Sequence, residues 1–331
     1  MTLENMVTPA TRLKALTTCI AKKGYARILE AHSGLSGIVA ENARVDFDGK
    51  VFEYDGLWES SLTDSATKGM PDASIVGNDS RIHTINEILN VTTKPLIVDG
   101  NTGGDAAQFE YLVKHLERLG VSGVIIEDKV YPKRNSLALT ASQALEHPAI
   151  FAEKIKAGRA IAISSDFLII SRLESLIAGA GIEDALERAE RYILAGTDGI
   201  MIHSYQRAPD EVLAFAEAYG GLCRRLERHP ILVSVPTTYN SISDAELVAS
   251  GFKIIIHANH LLRASYKAMK EAARVILAAG RSLEGDVICA PVAEIFSSVG
   301  FDRLIDRDQR RTEDLRQVSA AVELYPRCHD T

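Results

Sequence analysis

Residues 94–128 read KPLIVDGNTGGDAAQFEYLVKHLERLGVSGVIIED. The stretch opens on a short apolar run ending at Asp99 and turns through paired glycines. It continues over Asp105–Leu119 with apolar residues at helical spacing, then returns to a second apolar run ending at Glu127-Asp128. Two strands that are apolar on both faces, joined by a helix, make a parallel pair whose crossover covers the sheet. The same alternation extends in both directions. Apolar runs recur as ARILEAH (26–32), YDGLW (54–58), DFLIISRLES (166–175), TDGIMIHS (197–204), PILVSVPT (230–237) and FKIIIHANH (252–260). Helical patterns recur at Ala141–Ala157, Ile182–Ala195, Ala208–Tyr219 and Leu261–Ala279. Eight such runs in one chain predict an α/β fold closed into a (β/α)8 barrel of the TIM type. An open doubly wound sheet is the competitor, but no run is followed by Gly-x-Gly-x-x-Gly. Gly179-Ala-Gly181 lies past the strand at Ser171 and reads as a helix cap.

Nothing resembling a linker or a repeat interrupts residues 1–331, so a single barrel domain is expected. Two additions stand out. RVDFDGKVFEY (44–54) places Asp48-Gly49 between alternating apolar residues, the mark of a small hairpin added to the barrel. From 280 to 331 the chain turns polar, and the mixed charges of Asp302–Arg311 predict a solvated face on a helical extension. Composition narrows the function. A net charge of −7, from 37 basic and 44 acidic residues, argues against a nucleic-acid partner, which needs a basic stripe. No apolar run approaches the roughly 18 residues of a membrane span. The N-terminus lacks the apolar segment of a secretory signal. Cys19, Cys223, Cys289 and Cys328 form no Cys-x-x-Cys pair and read as reduced thiols of a cytoplasmic protein.

In a barrel, chemistry gathers at the C-terminal ends of the strands. Those ends carry Glu30 and His32, Trp58, Asp99 and Asn101, Glu127 with Asp128 and Lys129, Arg172 and Glu174, His203, Thr237 and Asn259. Asp99 and Glu127 end adjacent strands, and convergent carboxylates without His or Cys at ligand spacing suit a hard cation such as Mg2+. Arg172 offers a planar fork for a carboxylate or phosphoryl group, and His203 a donor or general acid. His257 and His260 resemble a metal pair, but strand side chains alternate, so they should not face the same way. Two loops suit an anionic substrate. Asn101-Thr-Gly-Gly-Asp105 brings backbone N–H groups to a helix N-terminus. KVYPKRNSL (129–137) combines three cations with a Pro and an amide, as a mobile lid would.

Together these residues resemble the phosphoenolpyruvate mutase family of the isocitrate lyase superfamily, over about Arg12 to Met269. The motifs are EAHSGLSGIV (30–39), GLWESSLTDS (56–65), Asp72, VDGNTGG (98–104), EDKVYPKRNS (127–136), ISRLES (170–175), IHS (202–204), VPTTY (235–239) and ANHLLRA (258–264). The resemblance implies a Mg2+ cofactor, a C-terminal helix swapped between subunits and a homotetramer built from dimers. It also implies the interconversion of phosphoenolpyruvate and phosphonopyruvate. It assigns Asp99 to the metal, Asp72 and Glu127 to the metal's waters, and Asp72 in addition to the side of the transferring phosphoryl group. Ser60, Ser61 and Leu62 fall on the substrate-contacting segment, with Trp58 packed beside it. Arg172 and His203 match the phosphoryl-binding pair; Lys133, Asn135 and Ser136 fall on the gating loop. Ser61 replaces the family's glycine, a change of small consequence where the contact is made by backbone N–H. Asn101 stands where the family pattern Asp-x-Asp-Thr-Gly has its second aspartate, which removes a negative charge beside the metal but leaves an amide able to orient water.

Three other activities fit parts of the pattern. Lyases of the superfamily place a cysteine in the loop after the fourth strand, and KVYPKRNSL has none. Phosphonopyruvate hydrolases share the other motifs but carry threonine at the position of Asn135. A barrel that binds without turnover would rest on Asn101 alone.

Overall fold

The structure, a computed structural model, describes residues 6–138 and 140–323. Eight strands close into a barrel: β1 (Ala26–Glu30), β4 (Gly56–Glu59), β5 (Leu96–Asp99), β6 (Gly123–Glu127), β7 (Leu168–Leu173), β8 (Gly199–Ile202), β9 (Ile231–Ser234) and β10 (Ile254–His257). Neighbours pair in parallel all the way round, and β1 hydrogen-bonds to both β4 and β10, which leaves no edge. All eight expected runs are strands. Alternation along them sorts the core into two layers. Ile97, Ile125 and Ile170 point inward with Trp58, Met201 and Val233. Their neighbours Val98, Val124, Ile126 and Ile169 point outward, against helix residues such as Phe109, Leu116, Phe151 and Tyr192.

The remaining two strands, β2 (Arg44–Phe47) and β3 (Lys50–Glu53), form the expected hairpin as a separate antiparallel pair. Asp48 and Gly49 both have positive φ, 53° and 71°, the mirror-image turn whose twist suits a two-residue connection.

The helices around the barrel are α1 (Pro9–Lys23), α2 (Gly34–Asn42), α3 (Ser61–Thr67), α4 (Asn78–Leu89), α5 (Ala106–Leu119), α6 (Pro148–Ile161), α7 (Gly181–Ala195), α8 (Asp210–Leu226), α9 (Asp244–Ala249) and α10 (His260–Ala279). Local chemistry sets their ends. Asp105 and Gln108 close a capping box at the start of α5, and Gly120, at φ 79°, ends it. Gly181 opens α7, in line with the cap reading. One boundary corrects the sequence reading: the helix expected from Ala141 starts at Pro148. Proline disfavours a helical conformation in the residue before it, and its missing N–H is harmless at the first helical position. Residues 141–147 instead lie alongside the loop after β6, where Val130 N–H donates to the Ala144 carbonyl and Glu146 N–H to that of Asp128.

The chain divides into two compact units, one holding the barrel to Lys267 and one beginning at Ala268 within α10. The helices expected after 280 belong to the second unit: α11 (Val292–Ser298) and α12 (Phe301–Glu323), with the rings of Phe296 and Phe301 5.0 Å apart. Asp302–Arg311 is a largely exposed helical stretch, as its charges suggest. Cys19, Cys223 and Cys289 are free thiols; Cys328 lies outside the described residues. No helix among the described residues is long and apolar enough to cross a membrane.

Candidate active site

Parallel strands deliver their C-terminal residues to one mouth of the barrel, and there the structure gathers most of the expected site. One pocket is lined by Trp58, Ser60, Ser61 and Leu62 from the end of β4 and the start of α3. Asp72 and Asp99 join them, as do Arg172 and His203 from the ends of β7 and β8, and Lys133, Asn135 and Ser136 from the loop after β6. The cavity is small, about 50 Å3.

Its floor and lid are tied by short polar contacts. Lys133 Nζ lies 2.8 Å from both oxygens of Asp72 and donates to Ser61 Oγ at 3.1 Å. Ser61 Oγ passes the bond on to Asp99 Oδ2 at 2.9 Å. Asn135 Nδ2 donates to Asp72 Oδ2 at 2.6 Å. The Ser61 hydroxyl therefore bridges lid and floor, a role the backbone-only expectation for this position did not include.

Asp99 is fixed by the turn that follows it. Gly100 lets the chain pass the sheet: a Cβ there would lie 2.8 Å from Val124 Cγ2 and 2.9 Å from Ile126 Cγ2. Asn101, at φ 54°, then points its N–H back to Asp99 Oδ1 at 2.9 Å, while its carbonyl accepts from Glu127 N–H at 2.7 Å. Asn101 thus links the two acidic strand ends through its backbone. Its side chain does not line the catalytic pocket but a neighbouring cavity, with Oδ1 buried and without a hydrogen-bond partner.

Glu127 is buried against Arg172, whose guanidinium makes a close ion pair with it and lies 3.7 Å from Asp99. Burial opposes ionisation of Asp99, but Arg172, Lys133 and Arg81 outweigh it and hold its carboxyl well below the ordinary range. Glu127 Oε2 faces Arg172, while Oε1 has no hydrogen-bond partner, its nearest cation being Lys133 Nζ at 4.0 Å. Buried, oxygen-only donors of this kind fit a hard divalent cation. Among the described residues no three acidic, His or Cys side chains form a complete ligand cage. An ion held by Asp99 would therefore take its remaining ligands from water and substrate.

Burial pushes the His203 imidazole down to about 4, with Glu174 opposing and Arg172 and Lys129 assisting, so the ring is neutral near pH 7. A neutral ring keeps one N–H, which it can donate to an anion. His257 faces Asp244 at 3.1 Å and His260 is exposed at the start of α10, so the two do not act as a pair.

The sequence reading did not assign two groups that the structure brings to this region, Glu174 and Lys129, which are buried and 3.0 Å apart. The signal was present: Glu174 follows Arg172 by two residues, so both leave the strand on the same side. Met201, Val235 and Ala258 also line the pocket and carry no chemical signature that a sequence could show.

Comparison with known proteins places this arrangement. The family model described as phosphoenolpyruvate phosphomutase matches residues 16–277. The chain is 33% identical to phosphoenolpyruvate phosphomutase of Tetrahymena pyriformis, over 93% of this chain and 98% of that protein. It is 34% identical to phosphonopyruvate hydrolase of Variovorax sp. (strain Pal2), over 89% and 97%. A crystal structure of phosphonopyruvate hydrolase with oxalate and Mg++ superposes with a TM-score of 0.80 at 33% identity, covering 91% of this chain and 99% of that one.

Proposed function

From the premise that the chain belongs to the phosphoenolpyruvate phosphomutase family, we propose that it is a cytoplasmic, Mg2+-dependent mutase interconverting phosphoenolpyruvate and 3-phosphonopyruvate. Relatives of nearly equal identity are named as mutase and as hydrolase, so family membership does not choose between them. The observation that carries the mutase reading is the lid. Lys133 and Asn135 both close onto Asp72 over a cavity with room for only a few waters. Moving a phosphoryl group between carbon and oxygen of one skeleton breaks the P–C bond and forms a P–O bond within the same molecule. Water in the pocket would divert that group to phosphate.

Asp99 would hold the metal, with Glu127 and Asp72 on the metal's waters; Asn101, whose side chain lines the neighbouring cavity, would act through its backbone bonds to Asp99 and Glu127. When bound, Mg2+ supplies positive charge to the oxygens of an oxyacid substrate. The protein's own groups do the rest. Arg172 and neutral His203 grip the phosphoryl oxygens, a demand set by a loose transition state whose charge spreads over those oxygens. Ser60, Ser61 and Leu62 position the pyruvate end against Trp58, and Lys133, Asn135 and Ser136 shut the pocket. No side chain needs to form a covalent bond.

Phosphorus NMR on phosphonopyruvate with Mg2+ tests the proposal: phosphoenolpyruvate should appear, whereas free phosphate alone would make the chain a hydrolase and no change would leave a binding protein. Asn135→Thr should cut the mutase rate by about tenfold or more, because the amide spans from the loop to Asp72, and it should release some phosphate. A parental rate in this variant would take Asn135 out of the reaction.

The assembly follows the same reading, a homotetramer with the C-terminal helix exchanged between subunits. Its support is the apolar surface carried by the second unit, where Leu277, Leu283, Val287 and Val292 are each more than half exposed on a single chain. Sedimentation at equilibrium should return the mass of four chains; a monomer would refute it.

A further inference from the structure

We infer that Glu174 is a positioning residue that latches the loop 129–137 to Arg172, so that closing the lid and orienting the guanidinium are one event. Glu174 is fully buried and its backbone N–H is held by Asp128 Oδ1 at 2.9 Å. Its two oxygens divide between two tasks. Oε1 lies 2.7 Å from Arg172 Nε. Oε2 accepts from Ser136 Oγ at 2.7 Å and lies 3.0 Å from Lys129 Nζ. Lys129 in turn donates to Ser136 Oγ at 2.7 Å and to the carbonyl of Arg134 at 3.0 Å. Two points of the loop thus meet on one carboxylate, and a third, the Arg134 carbonyl, is tied to it through Lys129.

The lid has a second attachment, Lys133 and Asn135 on Asp72, but Asp72 lines the pocket and a substrate competes for those donors. Glu174 and Lys129 do not line it. Of the latch only Ser136 faces the pocket, so the Glu174–Lys129 contact survives when the pocket fills, whereas the Asp72 contact is exchanged. Opening the loop removes Ser136 from Glu174 and leaves Arg172 with a carboxylate that has lost its second anchor. An uncompensated buried charge is expensive, so the closed state and the aligned guanidinium stabilise one another.

The test uses Ser136→Ala and Glu174→Gln, singly and together, in the full chain. Lys133 is buried in the closed loop, so trypsin cuts after it only when the loop opens, and cleavage there tracks the open population. Each single variant should be cut there about tenfold faster than the parent, the worth of one lost charge-assisted hydrogen bond, while the melting temperature stays within a few degrees. The pair should be cut no faster than Glu174→Gln alone, because both changes remove the same contact. In Glu174→Gln, kcat should fall more than KM changes, since a misaligned Arg172 is felt in the transition state. Parental cleavage in Ser136→Ala, which has no reason to misfold, would overturn the latch, as would strictly additive effects in the pair. The inference rests on the phosphoryl-transfer reading only for its kinetic arm. Faster cleavage in an enzyme that yields only phosphate would sustain the latch and remove the mutase.

Discussion

Asp99→Ala is expected to lower turnover about a thousandfold, the equivalent of roughly 4 kcal/mol of transition-state charge stabilisation by a bound cation. Excess chelator on the parent should do the same. The carboxylate also accepts from Ser61 Oγ and Asn101 N–H, so a loss of activity by Asp99→Ala alone could reflect a rearranged floor. Asp99→Asn separates the two causes. The amide oxygen still accepts from Asn101 N–H and the amide nitrogen meets Ser61 Oγ, a hydroxyl that can accept as well as donate, so the variant should melt close to the parent yet remain nearly inactive. Full activity in excess chelator, or more than a tenth of parental turnover in both variants, would remove Asp99 and the metal from the reaction.

Asp128→Ala should destabilise the barrel by about 3–5 kcal/mol, the range for stripping one partner from a buried ion pair. Asp128 is fully buried behind the pocket. Its Oδ2 accepts from Arg188 Nη1 at 3.1 Å and from the Tyr192 hydroxyl at 2.9 Å, and its Oδ1 accepts from the N–H of Glu174. Alanine would leave a phenol and an amide without their acceptor in a region closed to water, and the guanidinium with only Asp184 and the Glu146 carbonyl. Asp128→Asn, which keeps one acceptor oxygen, should cost less than half as much. Urea unfolding of the three proteins measures both differences, and a loss under 1 kcal/mol for Asp128→Ala would mean that water or neighbouring groups replace the carboxylate.

The barrel was legible because its strands are buried on both faces and therefore continuously apolar, as in LIVD of β5 and GVIIE of β6. Asp48-Gly49 announced the hairpin through the backbone conformation that only such pairs adopt readily. What escaped has physical causes too. The helices α3 and α9 have 7 and 6 residues, fewer than two full turns, so no periodicity could declare them. The start of α6 was misplaced because apolar spacing continued upstream of Pro148, and the proline outweighed it. The strand ends gave nearly the whole pocket, since polar residues at buried termini have few reasons to be there. Glu174 was visible as a strand end but not as a hub, because its partners come from positions 129, 136 and 172. The Ser61 hydroxyl was discounted for want of knowing that Lys133 would fold down onto it.

The positive φ of Asn101 limits what evolution can try at that position. Any residue with a β-carbon is strained there, and asparagine and aspartate tolerate the conformation better than other side-chain-bearing residues; glycine bears it freely. Random substitution is therefore biased toward an acid, its amide, or no side chain at all. Between aspartate and the asparagine of this chain the step is the smallest that bias allows. It changes one charge while keeping the bend that ties Asp99 to Glu127. Acid and amide can therefore exchange without disturbing the barrel, so the charge facing the cavity beside the mouth can change while the architecture of the mouth stays fixed.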